Sequence, residues 1–236
     1  GSKTYTITPS AGYKIADVLV DGASVGVVAT YTFSSVTANH KIEAKFAHDC
    51  PSAPFTDVDI TQWYHEGIDY VLLTGLFKGT SATTFEPNAP MTRAMLVTVL
   101  HRLEGAPTAT TENPFADVAS GKWYTNAVVW ASAKGIVKGY DAETFGPEDP
   151  ITREQMAAIL YRYAGCKDYD VSVGEDTNIL SYEDALNISE YAISVIQWAC
   201  GSGIVQGDGE KLDPQGNATR AQVAAMLMRF IENVAK

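Results

Sequence analysis

A Thr-Arg pair that opens an apolar stretch is written three times in this chain, as Met91-Thr92-Arg93-Ala94, Ile151-Thr152-Arg153-Glu154 and Ala218-Thr219-Arg220-Ala221. Superposing the pairs, which are spaced by 60 and then 67 residues, brings everything from Phe55 onward into three copies. Phe55-Thr56-Asp57-Val58 aligns with Phe115-Ala116-Asp117-Val118 and, more loosely, with Tyr182-Glu183-Asp184-Ala185. Trp63, Trp123 and Tyr191 each stand 12 residues before a glycine of the set Gly75, Gly135 and Gly203, and Gly79, Gly139 and Gly207 follow four residues later. Phe85, Phe145 and Leu212 lie just ahead of Pro87, Pro147 and Pro214. A triplicated unit of this kind restricts the fold, because each copy must bury its apolar face against its neighbours.

Within each copy, the stretch from the Trp or Tyr to the first glycine reads as a helix that the glycine stops. A Gly- and Pro-bearing loop of about 12 to 16 residues follows. Thr92, Thr152 and Thr219 then supply N-caps, and Gln155 and Gln222 complete capping boxes that Met95 cannot. Beyond each arginine, at offsets of 3, 6, 7 and 10, comes an apolar stripe: Leu96, Val99, Leu100 and Leu103; Met156, Ile159, Leu160 and Tyr163; Val223, Met226, Leu227 and Phe230. Such stripes are packing faces, each side chain contributing roughly 1.5 to 3 kcal/mol when buried. The expected fold is mainly α, with three pseudo-threefold helix-loop-helix repeats around a central helical bundle.

The arginine of each pair falls in the first helical turn, where the dipole disfavours a cation by about 0.3 to 1 kcal/mol. Three recurrences call for an anion or another compensating partner. A guanidinium offers planar paired donors that match a carboxylate, and a helix start adds free backbone amides aimed the same way. The alternative is that Arg93, Arg153 and Arg220 pair with Asp57, Asp117 and Asp184. Arg102, Arg162 and Arg229 also recur, nine residues later, where a helix C-terminus welcomes a cation without any ligand.

Residues 3–47 differ in kind. Tyr5–Thr8, Asp17–Val20, Thr30–Phe33 and Lys41–Phe46 alternate as strands, and Asp21-Gly22 signals a hairpin. This is a small antiparallel β module with little core of its own. Residues 48–54 read as a linker.

The net charge of −11 argues against nucleic acid or an anionic membrane as partner. No run approaches the roughly 18 apolar residues of a membrane span. Cys50, Cys166 and Cys200 lack metal-ligand spacing, and a Cys166–Cys200 disulfide is one option. His40, His48, His65 and His101 are scattered, and no nucleophile elbow, HExxH or P-loop is present, so neither a catalytic nor a metal site is expected, and no cofactor. Gly1-Ser2 reads as a cloning remnant, and the chain as a piece of a longer exported protein.

The ordered set Phe-x-Asp-Val, Trp-Tyr, Gly-Ile/Leu-x-x-Gly, Phe-x-Pro and Thr-Arg, occurring three times, resembles the S-layer homology module, with copies at 55–105, 115–165 and 182–234. Ile7-Thr8-Pro9-Ser10-Ala11-Gly12-Tyr13, Val18-Leu19-Val20-Asp21-Gly22 and Ile42–Phe46 resemble the short B-repeat modules of Gram-positive surface proteins, which mostly serve as spacers or stalks. The S-layer resemblance implies non-covalent anchoring to the Gram-positive cell wall, by binding secondary cell-wall polysaccharide through a terminal sugar bearing a pyruvate ketal. It implies that the grooves between modules hold the ligand and that Arg93, Arg153 and Arg220 meet its carboxylate. Asp57, Asp117, Asp184, Trp63, Trp123, Gly79, Gly139 and Gly207 are further candidates. Each has a second reading: turn or cap residues for the aspartates, core packing for the tryptophans, tight turns for the glycines.

The family's Thr-Arg-Ala-Glu appears here as Thr-Arg-Ala-Met, Thr-Arg-Glu-Gln and Thr-Arg-Ala-Gln. The third copy's Tyr191, Gln206 and Asn217 predict the weakest groove there. Lateral self-association into a surface array is the rival function.

Overall fold

A computed structural model describes residues 1–10, 13–172, 174 and 176–235, with His48 described by its backbone alone. Ala11 and Gly12 of the B-repeat-like run therefore lie outside the described residues, as does the side chain of His48. The chain divides into two units, Gly1–Pro51 and Ser52–Lys236.

In the first unit, β1 (Lys3–Thr6) pairs antiparallel with β4 (Thr30–Phe33), and β2 (Tyr13–Val20) lies between β3 (Ala23–Gly26) and β5 (Ile42–His48). The β2–β3 hairpin turns on Asp21 and Gly22, with φ of 52° and 86°, the left-handed pair that a type I′ turn requires. Strand β3 is absent from the alternation pattern: Ala23-Ser24-Val25-Gly26 has one β-branched residue and is entirely exposed. Among the described residues of this unit, only Val18 and Phe33 are buried apolar groups. The Asp21 carboxylate ties the module together by accepting from the Lys41 amide at 2.8 Å and facing His40 Nδ1 at 2.7 Å.

The second unit is helical and gives each repeat a helix pair: α1 (His65–Leu73) and α2 (Arg93–Leu103), α3 (Thr125–Ala133) and α4 (Arg153–Cys166), α5 (Ile193–Gly201) and α6 (Arg220–Asn233). Gly75, Gly135 and Gly203 end the first helices with φ of 70° to 72°, the left-handed stop that only glycine adopts without cost. Thr92, Thr152 and Thr219 cap the second helices, and both predicted capping boxes form. Of the twelve stripe residues, all but the half-buried Leu103 are buried.

The first helix of one repeat packs on the second helix of the repeat before it: α3 on α2, α5 on α4, and α1 back on α6. The second helices meet through side chains, Tyr163 against Phe230 with ring centroids 5.8 Å apart, and the Tyr163 hydroxyl donating to Glu104 just after α2 at 2.5 Å. At the helix starts, three backbone bonds form a closed cycle: Met91 N–H to Ala218 O, Ala218 N–H to Ile151 O and Ile151 N–H to Met91 O, at 3.0, 2.8 and 2.8 Å.

Candidate functional site

Each helix-start arginine reaches out of its own repeat. Arg93 donates from Nε to Phe145 O at 2.8 Å and from Nη2 to Lys138 O at 3.0 Å. Arg153 does the same to Leu212 O and Gln206 O at 2.7 and 3.1 Å, and Arg220 to Phe85 O and Lys78 O at 2.7 and 2.8 Å. The sets of partners correspond: in every case an arginine clasps two carbonyls of the next repeat's loop, the third repeat returning to the first.

Two expectations about this arrangement are corrected. The aspartates do not pair with the arginines. Asp57 accepts the Phe85 and Glu86 amides at 2.9 and 2.7 Å, Asp117 those of Phe145 and Gly146, and Asp184 those of Leu212 and Asp213 at the same distances. An aspartate thus holds the loop residue by its N–H while an arginine holds the same residue by its C=O. Nor are the helix-start amides free for an anion. The Arg93, Arg153 and Arg220 amides donate to Asp149, Gly216 and Ala89 carbonyls, and those of Ala94, Glu154 and Ala221 to Pro147, Pro214 and Pro87, all at 2.8 to 3.0 Å. The next amide of each helix goes to the cap threonine. Neighbouring loops therefore satisfy the donors that an isolated helix would leave open.

What stays open is guanidinium. Only two of the five N–H groups on each arginine are engaged, and Nη1 makes no hydrogen bond among the described residues. Arg93 and Arg153 are buried and Arg220 is half-buried. Burial pushes all three guanidinium groups below their ordinary pKa. Among the described residues, no carboxylate comes within salt-bridge distance of any of them.

Two of the three line open clefts. Arg153 floors a cavity of about 430 Å³ with Trp63, Gln206, Lys211, Gln222 and Arg229 around it. Arg220 lies in one of about 160 Å³ with Phe77, Lys78, Met95, Arg102 and Trp123. Each cleft therefore takes its loop and second helix from one repeat, its aromatic from the following one and its arginine from the preceding one. The third repeat's landmarks are spread over different places: Tyr191 stands near Arg162 and Arg93, Gln206 beside Arg153, and Asn217 at the helix-start bridge to Thr152.

Trp63, Trp123 and Tyr191 are 59%, 56% and 53% exposed, so they are lip residues and not core. The two tryptophan rings meet Tyr64 and Tyr124 in T-shaped contacts, with centroids 5.5 and 5.0 Å apart. By contrast Trp130 and Trp198 are buried and Tyr70 half-buried, as their positions on the first helix imply. Gly79, Gly139 and Gly207 are conformationally ordinary, but a Cβ there would collide with their own loops' carbonyls and with Phe55, Phe115 or Tyr182. They are seats for the first aromatic of each repeat. Cys166 and Cys200 are not joined to one another, so the Cys166–Cys200 option is not realised.

Arg102 and Arg229 are cleft residues that sequence reasoning assigned to the helix dipole alone. Arg102 donates to Leu76 O at 3.3 Å and Arg229 to Ile204 O at 3.5 Å, which turns both toward the groove. Their nine-residue recurrence was the available signal.

Fold and clefts together define a class: a helical repeat protein presenting cationic, aromatic-lipped grooves to which every repeat contributes. The chain belongs to the S-layer homology domain family, whose pattern matches residues 54–94, 114–157 and 181–224. It is 34% identical over 180 residues to an amylopullulanase of Thermoanaerobacterium thermosulfurigenes, covering 75% of this chain and 9% of that protein. It is 32% identical to an endoglucanase of Bacillus sp. strain KSM-635, over 77% of this chain and 19% of the relative. It is 28% identical to the S-layer protein sap of Bacillus anthracis, over 74% and 21%. The chain thus spans about a fifth or less of these relatives. The family is a cell-wall anchoring module, found on S-layer proteins and on surface enzymes alike, and it places this chain at the bacterial cell surface or cell wall. No helix among the described residues is long and apolar enough to cross a membrane.

Proposed function

We propose that this chain anchors an exported protein non-covalently to the Gram-positive cell wall, by gripping secondary cell-wall polysaccharide at a terminal sugar that carries a carboxylate, such as a pyruvate ketal. The carrying observation is the set of helix-start guanidiniums, largely withdrawn from water, with Nη1 making no hydrogen bond and no carboxylate within salt-bridge distance among the described residues. Asp149 acts on Arg93, Asp213 on Arg153 and Glu86 on Arg220 only at a distance, and a planar acid docked on Nη1 and Nη2 would pair with the charge directly. The exposed faces of Trp63 and Trp123 supply the stacking surface that a sugar ring uses. In this reading the repeats are pseudo-threefold equivalents about a central bundle, a view supported by the cyclic clasp of arginines on neighbouring loops. Asp57, Asp117 and Asp184 position the loop carbonyls, and the Gly1–Pro51 unit is a spacer.

Calorimetric titration with wall polysaccharide, before and after chemical removal of its ketal acid, tests the reading. Binding should vanish with the acid, and undiminished binding to the stripped polymer would sink the carboxylate assignment. Replacing Arg153 by Lys keeps the charge but loses the fork. The expected loss at that groove is about 1.5 to 3 kcal/mol, roughly 10- to 150-fold in affinity.

Lateral assembly with a second copy is the other reading. It is favoured by the exposed Leu180, Leu186 and Ile193, which line a depression with Ile179 and Gln197. Oligomers that persist when all three helix-start arginines are replaced by Ala would support it.

A further inference from the structure

The first two repeats have the same backbone at the residue that follows the seat glycine and different side chains, whereas the third closes a shorter turn there. Thr80 and Tyr140 donate their amides to Thr84 O and Thr144 O at 2.8 Å, and Asp208 donates to Lys211 O at 3.1 Å. The third loop is one residue shorter, and its Asp208 accepts the Glu210 and Lys211 amides as Asp141 accepts those of Glu143 and Thr144, so Asp208 matches Asp141 and the position that Thr80 and Tyr140 fill is missing from the third repeat.

At Arg153 the loop has no residue at the Tyr140 position, and Asp208 follows the seat glycine directly. Its carboxylate is folded back onto the Glu210 and Lys211 amides at 3.1 and 2.8 Å, no aromatic ring lies over the guanidinium among the described residues, and the cleft is the larger one. At Arg220 the loop presents Thr80, which bonds to Thr84 within its own turn. The rings near that guanidinium, Phe77 at 5.3 Å and Phe85 at 4.5 Å, are buried floor residues. At Arg93 the loop presents Tyr140, and its ring centroid lies 4.6 Å from the Arg93 Cζ, the same distance as Phe145. Tyr140 is 52% exposed, so it covers the guanidinium from the solvent side and is not part of the floor. A cation–π contact of this kind stabilises the charge, and an incoming carboxylate would have to displace it.

A second feature is confined to the same groove. Its lip aromatic is Tyr191, whose hydroxyl donates to Glu154 Oε1 at 3.1 Å. Glu154 is buried and also accepts from the Ser189 hydroxyl at 2.6 Å and the Ser189 amide at 3.1 Å. The other two second helices carry Ala94 and Ala221 at this position. The Arg93 groove thus holds a fixed negative charge in its wall and a tethered lip, where the others have alanine and an untethered tryptophan.

We infer that the Arg93 groove is closed by its own side chains, with Tyr140 taking the place over the guanidinium that a ligand carboxylate takes at Arg153 and Arg220, so that the chain carries two working sites. This rests on the carboxylate reading above. The middle repeat contributes the closing side chain. The third repeat, whose landmarks depart from the family's at Tyr191, Gln206 and Asn217, contributes the loop of the roomier of the two arginine clefts.

The test is the stoichiometry of a methyl glycoside bearing a 4,6-pyruvate ketal, measured by calorimetry on the full chain. The wild type should take two per chain. Tyr140→Thr, which installs the first repeat's residue at an exposed position, should take three, while Tyr140→Phe keeps the cover and stays at two. In a background of Arg153→Ala and Arg220→Ala, binding should be absent until Tyr140→Thr restores one site. Circular dichroism of that background confirms that it remains folded. Three sites in the wild type, or two in Tyr140→Thr, overturns the closed groove and leaves the carboxylate reading intact. No binding by either protein overturns the carboxylate reading and this inference with it.

Discussion

Arg93, Arg153 and Arg220 are set against a helix dipole, and that misfit was visible in the residue order alone. Its local resolution was not. The groups that accept from Arg220 are the carbonyls of Phe85 and Lys78, 135 and 142 residues earlier, and a carbonyl leaves no mark on residue identity. The partners of Asp57 were hidden in the same way, since they are the amides of Phe85 and Glu86. The residue before the loop proline shows a further local strain. Gly146 occupies it at φ 70°, whereas Glu86 and Asp213 are held there at 58° and 50°. A side chain in the left-handed region costs roughly 1 to 2 kcal/mol, part of which glycine returns through the entropy of the unfolded chain. The exposed Glu86 replaced by Gly should therefore raise stability by about 0.5 to 1 kcal/mol. Chemical denaturation should show a higher midpoint at unchanged slope.

At the scale of elements, the apolar stripes, the cap threonines and the stopping glycines place all six helices, because each is a property of neighbours in sequence. Strand β3 escaped notice because nothing in it is buried. The pairing of helix ends escaped because it depends on where α2 and α4 finish. Glu104, following α2, accepts from the Tyr163 hydroxyl and Lys167 Nζ of the α4 segment at 2.5 and 3.1 Å. Burial acts to raise the Glu104 pKa, but the hydrogen bonds from Tyr163 and Lys167 outweigh it and leave the carboxyl below its ordinary 4.5. Lys167 is raised above 10.5 by the Glu104 hydrogen bond, and Tyr163 above 10.0 by burial and then Glu104. A depressed acid stabilises the fold above its unfolded value and loses that effect as pH falls through its folded one. Raised donors stabilise below their unfolded values and lose the effect as pH rises. The tie should be at full strength from about pH 4.5 to 10. The stability gap between wild type and Glu104→Gln, followed by denaturant midpoints against pH, should narrow below this window. A gap that does not change down to pH 3 would contradict the assignment.

For the helical unit as a whole, the repeat pattern says that three copies exist but not how the first meets the third. That contact depends on Gly67, which looks like an ordinary weak spot in a helix and carries no periodic signal. In the fold, α1 crosses α6 so closely that a Cβ on Gly67 would lie 2.8 Å from the Ala225 Cα. At the corresponding place α3 carries Ala127, which is buried without difficulty. The contact between α1 and α6 is therefore the one that admits no side chain, and it joins elements from the two ends of the helical unit. Since Met91, Ile151 and Ala218 exchange hydrogen bonds in a cycle, and each arginine clasps the next loop, separation of α1 from α6 removes support from every repeat. Gly67→Ala should destabilise Ser52–Lys236 by about 1 to 3 kcal/mol through overpacking. Hydrogen exchange should then show lost protection across α3 and α5 as well as at α1 and α6. Loss confined to α1 and α6, with the second repeat unchanged, would mean that the repeats stack as a line of independent neighbours and that the cyclic bonds add no cooperativity.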